Sequence, residues 1–112
     1  MKYSIILAFL AAPAVADGPV VQDVTVSGDR FSVTLFHTDT GWDHYADGWE
    51  VLDEDGNSLG IRELAHPHVT EMPFTRSLSG VKIPEGATVV YVRARCNVDG
   101  WSDELFPVML DQ

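Results

Sequence analysis

Cysteine occurs once in this 112-residue chain, at Cys96, so no disulfide within the chain can brace the fold. Basic residues are scarce: 7 Lys and Arg stand against 17 Asp and Glu, for a net charge of −10. Such a surface repels nucleic acid and anionic lipid and favours cations or basic partners. Beyond residue 16 no long apolar run appears, and no stretch carries the 3.6-residue period of a helix. No strained nucleophile turn and no glycine-rich phosphate loop is present, which argues against an enzyme. We therefore expect a binding module without catalytic residues.

The start of the chain has its own pattern. Lys2 gives a positive opening, Tyr3 to Ala12 is apolar, and Ala14-Val15-Ala16 supplies small residues before Asp17. That is the layout of a cleaved signal peptide over residues 1–16. The apolar run falls short of the roughly 20 residues that span a bilayer. No cysteine follows it, so no lipid anchor is expected there. The expectation is a periplasmic or secreted domain over residues 17–112, large enough for one core and too small for two.

Period-two alternation dominates that domain. Strands are expected at Val20–Ser27, Arg30–Phe36, Gly48–Leu52, Ser58–Leu64, Phe74–Ile83, Thr88–Cys96 and Leu105–Leu110. In the sixth, Val90, Val92, Ala94 and Cys96 share a face, which places Cys96 inward. Asp53-Glu54-Asp55-Gly56-Asn57 reads as a hairpin turn. Arg76, Arg93 and Arg95 read as ion-pair partners on a sheet face. Asp39, Asp43 and Asp47 read as capping and turn residues. Seven short strands predict one antiparallel seven-stranded β-sandwich.

The segment Ser77–Met109 resembles the second half of a fibronectin type III domain. It carries Leu78-Ser79-Gly80-Val81, Pro84, a strand ending Val92-Arg93-Ala94, and Gly100-Trp101-Ser102 before the last strand. Trp49 stands where such immunoglobulin-like domains keep a core tryptophan. Thr88 departs from the pattern, which places a tyrosine there. GWDHYADGWEVLDEDG, AHPHVTEMPFTRSLSGV and IPEG also resemble a group of small exported bacterial proteins of no established function. The first resemblance implies a sandwich, and the second implies kinship without an activity.

In a sandwich of this strand order the connections 37–47, 65–73 and 97–103 emerge at one end. All four histidines lie on the first two: His37 and His44, then His66 and His68. In an extended His66-Pro67-His68 the alternate side chains point the same way, with Cα atoms about 7 Å apart. We expect His66 and His68 as primary ligands of a transition metal. His44, then His37, would add a nitrogen, and Asp43, Glu71 or Asp99 an oxygen. Imidazole suits copper, zinc or nickel. A cysteine–histidine dyad would require Cys96 to be exposed near the histidines. The metal-free alternative is a protein- or carbohydrate-binding surface built from Trp42, Tyr45 and Trp101, with a protein or glycan as its partner.

Overall fold

A computed structural model describes residues 18–110. The expected signal peptide, and hence the boundary at residue 17, lies outside the described residues. The described chain is all β, without a helix, in two antiparallel sheets. Its strands are β1 (Val20–Ser27), β2 (Arg30–Phe36), β3 (Ala46–Leu52), β4 (Ser58–Glu63), β5 (Phe74–Leu78), β6 (Val89–Cys96), β7 (Gly100–Trp101) and β8 (Phe106–Met109). One sheet has the order β1-β2-β5. The other runs β4-β3-β6-β7, with β8 also paired to β6. The architecture is consistent with a β-sandwich.

Alternation explains the core. In β2, Phe31, Val33 and Leu35 are buried while Ser32 and Thr34 face outward and pair with Ser77 and Thr75 of β5. In β6, Val90, Val92, Ala94 and Cys96 are buried on one face, as the sequence predicts. These rows meet Trp49 and Val51 of β3, Phe74 of β5 and Val108 of β8 in a single hydrophobic cluster. At about 25 cal/mol per Å² of apolar area buried, that contact is the main driving force for folding.

Two expected strands end differently. The fifth stops at Leu78, because Gly80 takes a positive φ of 79° and Val81 turns back to donate its N–H to Asp29 O. The seventh, expected at Leu105–Leu110, spans Phe106–Met109, and the expected 97–103 connection adds the two-residue β7 on the edge of β6. Ser102 still donates its N–H to Ala94 O of β6, and its Oγ accepts the N–H of Glu104 in the local turn that separates β7 from β8.

The outer face of the larger sheet carries the expected ion pairs. Arg93 meets the buried Glu50 at 2.8 Å, directly across the β3–β6 register. Arg95 reaches Asp47 and Glu63, each at 2.8 Å. The Trp101 ring lies against both guanidinium groups, at 4.4 and 4.8 Å. Gly48 leaves room for this arrangement, since a Cβ there would stand 2.7 Å from an Arg95 nitrogen. Arg76 departs from the expected face. It belongs to β5 and engages His68.

Candidate metal centre

The inward row of β2 continues past its strand, and that of β6 runs to the strand's last residue. After Phe31, Val33 and Leu35, the same alternation buries His37 and Asp39 on the loop beyond β2. On the opposite sheet, Val90, Val92 and Ala94 lead to Cys96, which is fully buried. At this pole the core changes from hydrocarbon to imidazole, carboxylate and thiol groups.

A tight turn supplies the third group. Thr40 donates its N–H to His44 O, and His44 donates to Gly41 O, which closes residues 41–44 into a hairpin-like reversal. Asn97 fixes this turn to the end of β6. Its backbone N–H donates to Tyr45 O, its Oδ1 accepts the Tyr45 N–H, and its Nδ2 reaches the Trp42 and Asp43 carbonyls. Ala46 lies opposite Cys96 in the β3–β6 ladder. The result brings His44 Nε2 to 3.5 Å from Cys96 Sγ. The rings of His37 and His44 meet edge to face with centroids 4.8 Å apart.

One ligand atom each from His37, His44 and Cys96 lies within 4.8 Å of the others. His37 and Cys96 are buried, and His44 is half-buried. A cleft of about 230 Å³ reaches His37 and His44 past Val20, Phe36, Thr38 and Thr40.

Asp39 determines how His37 presents its nitrogens. The carboxylate is buried and accepts three hydrogen bonds: from His37 Nδ1 at 2.6 Å, from the Ala46 N–H at 3.0 Å, and from the His68 N–H at 2.8 Å. With Nδ1–H donated to a carboxylate, the neutral ring carries its lone pair on Nε2. That Nε2 is buried and has no partner. An orphaned buried polar atom is costly and calls for an explanation. A carboxylate behind a histidine whose other nitrogen is free is the usual support of a metal ligand.

Cys96 is equally prepared. Its sulfur accepts the backbone N–H of Asp99 at 3.3 Å, and the Asp99 carboxylate stands 3.6 Å away as acceptor for the thiol proton. Of the expected oxygen donors, Asp99 therefore lies beside the cluster, whereas Glu71 is exposed on the other loop. Asp43 gives only its backbone carbonyl, to Asn97.

The expected primary pair takes a different place. His68 is buried and its ring stacks on Phe74 at 3.8 Å. Its Nε2 lies 2.9 Å from an Arg76 nitrogen. Arginine can only donate, so this contact uses the Nε2 lone pair and leaves the proton on Nδ1, which is buried without a partner. Neither nitrogen then offers a lone pair to an ion. Burial, followed by the Arg76 charge, holds the His68 pKa below the ordinary histidine value. His66 is exposed, near His68 but with its Nδ1 on the Pro67 carbonyl. Among the described residues these two rings join no third donor, and the gathered set is His37, His44 and Cys96.

The expected aromatic surface is likewise divided. Trp42 is 65% exposed and meets Tyr45 edge to face at 5.5 Å. Trp101 instead packs under Arg93 and Arg95 on the sheet face. The sequence signal for Cys96 and His37 lies in the phase of the alternation, carried to the last residue of β6 and one residue beyond β2. The role of Asp39 as orienting partner left no such signal, because an aspartate in a loop usually caps a turn.

Neither a family model nor a solved structure matches the chain. A protein of Halomicrobium mukohataei that bears the name "Putative lipoprotein" is 46% identical over 93 residues, covering 79% of this chain and 45% of that protein. The chain thus spans less than half the length of this curated relative.

Proposed function

We propose that the protein is an exported, non-enzymatic binding module that holds a transition-metal ion, copper or zinc, through His37, His44 and Cys96 at one pole of a fibronectin type III-like sandwich. The observation that carries this reading is the His37 ring. Its Nδ1–H is fixed by Asp39, its Nε2 is buried without a partner, and the ring belongs to one cluster with a thiol and a second imidazole. Two nitrogens and one sulfur form a donor set of the borderline-soft kind that copper and zinc prefer. Affinity should fall as the pH is lowered, because binding requires neutral imidazoles and a thiolate.

Export fits the layout of residues 1–16 and the lipoprotein name of the relative. A lipid on Cys96 does not fit, because that sulfur lies in the core. The test is equilibrium dialysis of the purified domain against zinc or copper, followed by elemental analysis. One ion per chain is expected for the native protein and for His66→Ala, with loss of binding in His37→Ala and His44→Ala. Equal binding in all four would refute the assignment.

A second reading rests on Trp42, whose exposed ring beside Tyr45 offers a stacking surface for a sugar or a protein partner. Glycan or partner binding that is lost in Trp42→Ala, with metal content unchanged, would favour it.

A further inference from the structure

We infer that the His37–His44–Cys96 cluster is a redox-active copper centre with the Cys96 thiolate as a ligand; this rests on the metal-binding reading above. Four observations favour copper over zinc. First, the cluster offers three donors, two imidazoles and one thiolate. A trigonal set of two histidines and a cysteine is a copper geometry, whereas structural zinc sites close with four protein ligands. Second, divalent copper stands above zinc in intrinsic affinity for such donors.

Third, the thiol is protected from the side reaction that usually destroys such a site. Copper(II) oxidises free thiols by pairing two of them in a disulfide and leaving copper(I). Cys96 is the sole cysteine of the chain and is fully buried, so no second sulfur can reach it in the folded protein. Fourth, the Asp99 N–H points at Sγ from 3.3 Å. Hydrogen bonding to the cysteine sulfur is one of the means by which a copper–thiolate potential is set.

The chemistry balances simply. On loading, the copper–sulfur bond forms and the thiol proton leaves, with the Asp99 carboxylate 3.6 Å from the sulfur to receive it. A one-electron donor then reduces copper(II) to copper(I), and a one-electron acceptor reverses the step. No bond to the protein breaks in either direction. The electron reaches the centre through the ring of His44, the half-buried member of the set.

The experiment uses the mature protein with copper(II), and in parallel with zinc(II) and cobalt(II). Copper(II) should give an intense visible thiolate-to-copper band at one ion per chain. Ascorbate should bleach it and ferricyanide should restore it over repeated cycles. Cys96→Ser should abolish the band. Because that change could also disturb the core, electron paramagnetic resonance of the native copper protein reads the same bond without substitution. Stoichiometric copper binding with no thiolate band, or irreversible bleaching, would overturn the copper proposal and leave a metal site standing. Failure of copper, zinc and cobalt alike to bind would overturn the reading beneath it.

Discussion

Two buried histidines in this domain have nearly opposite electronic situations. His37 gives its Nδ1–H to Asp39 and keeps a bare lone pair on Nε2. His68 gives its Nε2 lone pair to Arg76 and keeps an unpartnered Nδ1 proton. Both are nearly inaccessible to solvent, and Asp39 touches both, through the ring of one and the backbone of the other. On the proposed reading, proximity of imidazoles alone does not mark a metal ligand. What decides is whether the second nitrogen faces an acceptor, which frees a lone pair, or a donor, which consumes it.

The largest effect that would break this contrast comes from Asp39. Asp39→Ala removes the acceptor of three buried donors, each worth about 1–3 kcal/mol when left unsatisfied. We expect a loss of more than about 3 kcal/mol in chemical denaturation, by the same per-donor penalty. Asp39→Asn, which keeps the shape, should retain more stability yet weaken metal binding by about 10–100-fold, the usual penalty for losing a carboxylate behind a ligand histidine.

Next in size is the stability that the proposed metal ion would add. At a hundredfold excess over the dissociation constant, an ion that binds only the folded state adds about 2.7 kcal/mol. That increment should vanish in His37→Ala and His44→Ala and persist in His66→Ala. Asn97→Ala should lie between, because the 41–45 turn would lose the side-chain bonds of its tether to β6 while all three ligands remain. Each is read from melting curves with and without zinc.

The pH dependence sharpens the other half of the comparison. His68 has a pKa held below the ordinary value of 6.5 in the folded protein, first by burial and then by Arg76. Below pH 6.5 the unfolded chain takes up a proton that the folded chain resists, so stability is fully present above that pH and declines as pH falls toward the lower folded value. Arg76→Met should move the His68 titration upward in proton NMR and flatten that decline. Metal affinity should be unaffected by Arg76→Met.

The smallest effect serves as a control. Trp101→Ala removes two cation–π contacts from the sheet face, worth about 0.5–1 kcal/mol each when exposed. It should lower the melting temperature and leave metal affinity unchanged.

Much of this was legible in the sequence. Alternation through Val90, Val92 and Ala94 placed Cys96 inward, and Arg93 and Arg95 outward among carboxylates. Strand order placed the histidine loops at one pole, and the Asp39–His68 and Asn97–Tyr45 bonds join them there. The choice among histidines was not legible. His-Pro-His is the conspicuous motif, but its buried ring meets an arginine 8 residues away that no local pattern announces. Sequence reasoning ties a cysteine–histidine approach to an exposed thiol. In fact the Asn97-tethered turn carries His44 in to a buried one.

Long-range nitrogen–proton NMR of the four imidazoles, before and after one equivalent of zinc, addresses the tautomers and the ligands together. Nδ1 of His37 should carry the proton throughout, with a large shift confined to Nε2 of His37 and the ligating nitrogen of His44, while His68 stays in place. A zinc-induced shift at His66 and His68 with His37 unmoved would contradict the assignment.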